Sequence, residues 1–457
     1  MGKSLKPFLL VQIDPPTTEF CGDHYYRTYV PLYALGNRSA HFHTVSLTNE
    51  HRLKFYLMRN ADVVVLSLVA DMDLIPVVEE RRKRGLITIY EWNDDVFNVP
   101  PWNPQHRFFS QPHVQRTMKQ LARMCDAVQF SSPVLEEKYG WLNKKRTVFI
   151  NHLLPLEEDT TPNSGSEYLE IGYGGSAGHF YDVAYIAPHL FRWIYEEKRV
   201  RFNIMAADPI VKLFSFLPLE RIRVFPTGSI FDYYRFVRVL HVGIAPLLDT
   251  PFNRSRSDVK FLEYAAHGVV PVLQRTVPYS GVVAHGKTGL LFESGEDCIS
   301  KLRWLLDHPD ERKRIAREAK THVLRERMIF KRIEEREKFY LGLLKKLDLR
   351  QKKDDKFFES IRDTEGAVIQ GDYVMLGPSR FELLIREGLS FLAEGKRDRA
   401  RKNFIIAMEM EPANYLPYLY LAECSSYGEE KTRYLREALR INPRSFMARW
   451  MLKASSF

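Results

Sequence analysis

Residues 257–273 read SDVKFLEYAAHGVVPVL, and two elements are legible in them. Ser257 is predicted to cap a helix, Asp258 suits the positive end of its dipole, and Gly268 suits the C′ position just past its end. The run VVPVL that follows is short and apolar, the composition of a strand buried on both faces. Counted from a Ser257 cap, Lys260 is N3, and Glu263, Tyr264 and His267 share its face of the helix. Val259, Leu262, Ala265 and Ala266 take the other face. The expectation is a helix with one side in the core and a polar side turned toward a cleft.

The same alternation runs outward in both directions. LEIGYG, VRFNIMA, RIRVF, VGIAPL, VVPVLQ and GLLF recur at helix-length intervals in the second half of the chain. FLLVQI, DVVVLSL, LITIYE, AVQFSS and TVFINH do so in the first. This βαβ rhythm predicts an α/β protein with two Rossmann-like domains facing a cleft, over 1–160 and 165–347, the second with trailing helices. Between them LEEDTTPNSGSEY, 156–168, loses its aliphatic residues and reads as an inter-domain linker. Ligands of such sheets bind beyond the carboxyl ends of the strands, so the site is expected in the cleft.

A polar stretch, 348–378, is predicted as a further linker, leading to an all-α module over 379–457. Gly395, Ala400, Phe404, Ala407 and Pro412 fall at tetratricopeptide-repeat offsets, and Ala438 and Pro443 echo Ala407 and Pro412 after 31 residues. The module resembles the tetratricopeptide family. That resemblance implies stacked helix pairs serving a protein partner or self-association.

Over 457 residues, 67 Lys and Arg stand against 57 Asp and Glu, a formal charge of +10. An excess of this sign suits anionic partners. No RNP, helix-turn-helix or zinc-finger pattern accompanies it, so nucleic acid is not expected as a partner. Cys21, Cys125, Cys298 and Cys424 lie far apart, which predicts neither a metal site nor a disulfide framework and fits a cytoplasmic protein. FLLVQI is too short for a signal-peptide core. The densely charged helices beyond residue 300 read as solvated faces with i,i+4 ion pairs, the alternative being a basic face making peripheral membrane contact.

Lys260 in the first turn of a helix, beside free N–H groups and a Ser257 cap, makes an anion site suited to a diphosphate. Glu263, one turn deeper, suits vicinal hydroxyls. The alternative is a plain i,i+3 ion pair on a solvated helix. Residues 246–292, PLLDTPFNRSRSDVKFLEYAAHGVVPVLQRTVPYSGVVAHGKTGLLF, resemble the nucleotide-sugar half of GT-B glycosyltransferases of the family 4 type. The likeness rests on Ser257, Lys260, Glu263, Tyr264, Gly268, Pro271 and Val272, then Gly286, Gly289 and Leu290.

The same resemblance extends to IGYGGSAGHFYDV, where Gly172, Gly174, Gly175 and Ser176 match a glycine-rich loop near the diphosphate and His179 and Asp182 match a variant of it. Gly228 and Ser229 resemble the loop that receives the nucleobase. In the first domain, Gly22, Tyr26, Arg27 and Pro31 resemble an acceptor-side helix entry. Glu91, Asp94 and Asp95 resemble an acidic motif at the cleft edge.

What the resemblance implies is transfer of a sugar from a nucleoside-diphosphate sugar to an acceptor hydroxyl, with retention and without metal or other cofactor. Lys260, the Gly174 and Gly175 amides and the helix dipole would stabilise the departing diphosphate. The acceptor would be a glycan, a lipid-linked saccharide or a protein side chain. Two departures from the family pattern shape the expectations. Ser255 stands where many members carry a glutamate, and the glycine-rich loop offers neither Arg nor Lys, so His179, Arg254 or Arg256 is expected to compensate. No family-type catalytic histidine follows LITIY, which leaves Asp94 or Asp95 as the candidate base. The competing expectation is a catalytically inactive GT-B scaffold acting through its helical module.

Overall fold

Leu10, Val11, Ile13, Val64, Val65, Ile204, Ile244 and Val272 are fully shielded from solvent, because the apolar runs become central parallel strands covered by helices on both faces. The computed structural model describes residues 8–16, 21–156, 166–344, 355–425 and 428–454. Most of the stretch read as the inter-domain linker, 157–165, lies outside the described residues.

The first sheet contains β1 (Phe8–Asp14), β2 (Phe42–Thr48), β3 (Val63–Ser67), β4 (Ile87–Trp92), β5 (Ala127–Phe130) and β6 (Arg146–Val148). The second contains β7 (Leu169–Gly175), β8 (Val200–Ala206), β9 (Ile222–Val224), β10 (Val242–Ala245), β11 (Val270–Gln274) and β12 (Leu290–Phe292). Its order is β12-β11-β10-β7-β8-β9, all parallel. The carboxyl ends of β7 and β10 therefore lie side by side, which sets the glycine-rich loop next to the 246–258 segment.

Three sequence expectations need correction. Strand β2 is missing from the predicted set. Its Thr44 and Ser46 break the apolar run, yet both are buried and bonded, Thr44 Oγ1 to the Leu32 carbonyl at 2.9 Å and Ser46 Oγ to the Tyr373 hydroxyl at 2.7 Å. The 348–378 segment is not simply a linker. It carries an antiparallel hairpin, β13 (Ala367–Gln370) and β14 (Tyr373–Leu376), and β14 joins the edge of the first sheet parallel to β2, giving the order β13-β14-β2-β1-β3-β4-β5-β6.

The third correction concerns the trailing helices, assigned by sequence to the second lobe. The last of them, Ile333–Leu344, packs on the first. The Tyr340 hydroxyl donates to Gln129 Oε1 at 3.0 Å, and Glu337 bonds His41 Nδ1 at 2.8 Å. The chain thus ties its second half back onto its first.

Five helices close the chain: Arg380–Ala393, Arg397–Met410, Tyr415–Cys424, Glu429–Ile441 and Phe446–Ala454, each packed on the next. Ala400, Phe404, Ala407 and Ala438 are in their core. Gly388 lets two helices approach, since a Cβ there would lie 2.4 Å from the Phe404 ring. The module is seated on the first lobe, where Asp73 accepts hydrogen bonds from Ser445 Oγ at 2.9 Å and the Met447 amide at 3.3 Å.

Candidate active site

The Val259–Ala266 helix ends as the sequence predicts. Gly268 adopts φ +71°, its amide bonds the Ala265 carbonyl, and the Val269 amide bonds that of Tyr264, a Schellman closure that turns the chain into β11. Its start differs. Asp258, not Ser257, is the N-cap residue, and its side chain makes no cap bond. The Asp258 carboxylate instead receives Arg327, whose guanidinium also bonds the Asn151 carbonyl of the first lobe at 2.7 Å. Lys260 is therefore N2, and Ser257 is a half-buried residue ahead of the cap.

Lys260 Nζ lies 2.9 Å from Glu263 Oε2 and 2.7 Å from the Tyr233 hydroxyl, 4.1 Å from the centre of that ring. Glu263 Oε1 accepts from the Tyr26 hydroxyl of the first lobe at 3.3 Å. The two residues on which the sequence reading turned thus face the junction of the lobes. Tyr264 and His267 do not: both are in the core, Tyr264 donating to the Ile244 carbonyl and His267 Nδ1 bonded to the Glu263 carbonyl. The expected open polar face is a buried one.

Gly174 and Gly175 end β7, followed by exposed Ser176. Glycine at 174 is required by packing, because a Cβ would lie 2.5 Å from the Tyr233 ring. His179 Nδ1 pairs with Asp182 Oδ2 at 2.8 Å, and Asp182 Oδ1 receives the Leu248 amide at 2.8 Å and Asn253 Nδ2 at 3.0 Å. The glycine-rich loop and the 248–253 segment are thereby pinned together. Burial lowers the His179 pKa below its ordinary value, against the pull of Asp182.

Arg256 and Arg254 part company. Arg256 lies across the Phe252 ring at 4.8 Å and reaches Asp94 Oδ2 of the first lobe at 3.2 Å. Arg254 forks onto Asp249 at 2.7 and 2.8 Å on the surface. Asp94 is buried, and burial pushes its pKa up to about 6 with Arg256 pulling the other way. Asp95, predicted alongside it, turns inward. Its carboxylate binds Lys138 Nζ at 2.6 Å, Asn98 at 2.9 Å and the Tyr139 hydroxyl, all within the first lobe.

Arg27 and Glu91, expected on the acceptor side, form a buried ion pair. Arg27 further bonds the Phe149 carbonyl at 2.7 Å and Asn151 at 2.9 Å, so the pair braces the first lobe's strand ends. Ser229 caps the Ile230–Val237 helix in a reciprocal box with Asp232, and Gly228 before it is exposed. Ser255 is buried, with its carbonyl accepting from Ser132 Oγ of the first lobe at 3.1 Å.

Sequence reading passed over Tyr233 and Tyr234, although the FPTGSIFDYY stretch was in view. Tyr234 shares a 2.7 Å hydrogen bond with Tyr26, while Tyr233 packs on Gly174 and under Lys260. Two tyrosines in the first turns of a helix give no signal of their own, since at that spacing a core role is the default. Together these side chains fill the space between the lobes that sequence reading left open for a ligand.

Residues 188–337 match the glycosyl transferase-like family. No curated protein matches the chain by sequence. Among solved structures, HepE of Anabaena in complex with UDP is similar at 12% identity and TM-score 0.54, covering 74% of this chain and 100% of that one. Its complex with UDP-glucose gives 12% and 0.53, over 72% and 99%. Sucrose-phosphate synthase from Thermosynechococcus elongatus gives 12% and 0.52, over 74% and 99%. The chain has the two-lobed GT-B fold of these structures.

Proposed function

We propose that the protein transfers a sugar, with retention, from a nucleoside-diphosphate sugar to an acceptor hydroxyl, in the cleft between the lobes. The observation that carries this reading is the placement of Lys260 and Glu263. They lie at the carboxyl ends of β10 and β11, beside Gly174 and against Tyr26 of the opposite lobe. What supports the reading is that a cation and a small-residue loop come together at the carboxyl ends of the strands, where ligands of such sheets bind.

The chemistry asks for stabilisation of a diphosphate as its bond to the sugar breaks. Lys260 exchanges the Tyr233 hydroxyl and Glu263 for phosphate oxygens, and the Gly175 and Ser176 amides add dipoles aimed at the same charge. Glu263, released from Lys260, accepts from hydroxyls of the donor. Asp94, near the first-lobe edge of the cleft, takes the acceptor proton, its pKa raised by burial against the pull of Arg256. The helical module, read as tetratricopeptide-like, presents a protein partner or the acceptor.

A second reading, a catalytically inactive scaffold, is favoured by the filled junction: Tyr233 occupies the ground between Gly174 and Lys260. Thermal melting with UDP-, GDP- and ADP-sugars separates the two, because a ligand bound only by the folded state raises the melting temperature. The enzyme reading expects a rise with one donor class. No shift with any of them at millimolar concentration supports the scaffold.

A further inference from the structure

The Pro309–Glu326 helix sorts its charges by face. Glu311 and Glu318 are both taken by Arg314, at 2.8 Å each. Arg312, Lys313, Arg317 and Lys320 follow one another three, four or one residue apart along a different stripe, shared with Ala316 and Leu324. The acid of the helix on that stripe is Asp310, three residues before Lys313, against four cations. This differs from the solvated helix with interleaved ion pairs that its composition suggests, in which cations and acids would neutralise one another locally.

The stripe forms one wall of a cavity of about 850 Å3. The opposite wall is built by Leu169, His241 and Gly268, at the amino ends of β7, β10 and β11, and by Arg199, which is itself paired with Glu197 at 2.8 Å and Asp307 at 3.2 Å. Among the described lining residues Glu167 is the one acid. The cavity thus lies at the pole of the second lobe away from Gly174, a strand length or about 20 Å from the candidate active site.

The same pole carries two large apolar side chains in water. Phe216 is 86% exposed and Leu219 89%. Arg221, two residues on, bonds the Ile194 carbonyl at 2.8 Å and also the Glu197 carbonyl, which fixes the turn beside Arg199. Single exposed apolar residues are ordinary on a protein surface. Two within four residues, held on a braced turn at the same pole of the lobe as a cationic stripe, are the pairing that an interfacial protein presents to a bilayer.

We propose that this pole docks on an anionic bilayer, with lipid phosphates seated among Arg312, Lys313, Arg317 and Lys320 and with Phe216 and Leu219 entering the headgroup layer. From Arg312 to Lys320 the cations span about 12 Å of helix, a strip rather than the single focus that one soluble phosphate requires. Docking here leaves the junction of the lobes facing away from the surface that is bound.

The test is co-sedimentation of the 457-residue chain with vesicles of phosphatidylcholine alone and of one part phosphatidylglycerol to two parts phosphatidylcholine. Binding to the mixed vesicles, falling with added salt, and none to the neutral ones is expected. Lys313→Ala with Arg317→Ala lowers the partition coefficient roughly thirty-fold. Phe216→Ser with Leu219→Ser lowers it as well, and neither pair shifts the melting temperature, since these side chains are exposed.

The proposal fails if the wild type binds neither vesicle or both equally, or if the Lys313/Arg317 variant partitions as the wild type does. It also fails if inorganic pyrophosphate releases the protein from vesicles at unchanged ionic strength, which would mark a soluble-phosphate site instead. Partitioning does not involve donor binding, so the outcome is independent of the glycosyl-transfer reading.

Discussion

The Tyr26 hydroxyl of the first lobe stands 2.7 Å from the Tyr234 hydroxyl of the second and 3.3 Å from Glu263 Oε1. Through Glu263 the chain of contacts continues to Lys260 and on to the Tyr233 hydroxyl. These groups lock the lobes together and occupy the cleft in which we propose that the donor binds. A donor that binds between the lobes has to replace part of this chain, so its affinity contains the free energy of breaking it.

Tyr26→Phe removes the hydroxyl common to both contacts. With each buried hydrogen bond contributing about 1 kcal/mol net, the lobe junction weakens by roughly 1–2 kcal/mol. The melting temperature is expected to fall, while the apparent affinity for the donor sugar nucleotide rises because less closed chain has to be displaced. Titration calorimetry beside thermal melting checks this, and an unchanged donor affinity shows that the tyrosine chain does not compete with the ligand.

Lys260→Ala is expected to lower turnover by at least roughly 100-fold, the scale of losing a group aimed at developing charge. It also strands the Glu263 carboxylate, which is 3% exposed, and an uncompensated buried charge is costly. The double variant Lys260→Ala with Glu263→Gln removes that charge. Recovery of the melting temperature without recovery of turnover separates the chemical role of the lysine from its structural one. A Lys260→Ala enzyme of normal activity ends the proposed role.

The second sheet was legible because its strands are covered on both faces and so read as unbroken apolar runs. Strand β2 was not, because Thr44 and Ser46 are polar residues whose partners, the Leu32 carbonyl in the preceding helix and the distant Tyr373 hydroxyl, appear only in the fold. Position along the chain placed Lys260, Glu263, Asp94 and Arg256 near one another, since all four follow or precede strand ends on facing sheets. It could not distinguish Asp94 from Asp95. Adjacent residues at a strand end point opposite ways, and what made Asp95 internal was Lys138 and Tyr139, more than forty residues downstream.

Asp94 provides a pH signature. Burial holds its folded pKa up to about 6, above the ordinary 3.8. Between those values the folded chain keeps a proton that the unfolded chain has released. Its contribution to stability is therefore largest at the acid end and is lost as pH rises toward 6. If Asp94 is the base, kcat/KM climbs with pH through a midpoint near that value. Arg256 opposes the burial effect, so Arg256→Ala moves the midpoint upward. A pH–rate profile whose acid limb stays in place in that variant excludes Asp94 as the titrating base.

The hairpin that sequence reading took for linker supplies the last expectation. Tyr373 on β14 is completely buried, its ring 5.7 Å from that of Tyr29 in an edge arrangement and its hydroxyl 2.7 Å from Ser46 Oγ on β2. A linker residue tolerates truncation within about 0.5 kcal/mol, whereas a large aromatic in a core costs about 3–5 kcal/mol when cut to alanine. Tyr373→Ala is thus expected to destabilise the first lobe by the larger amount. Tyr373→Phe, which removes the bond to the Ser46 hydroxyl, is expected to cost about 1 kcal/mol. Val368→Ala on the neighbouring strand, where the side chain is 43% exposed, serves as the near-neutral control. Chemical denaturation of the three variants decides it: equal midpoints for Tyr373→Ala and Val368→Ala would make the hairpin an appendage, and a wide gap between them makes it the edge on which the first sheet depends.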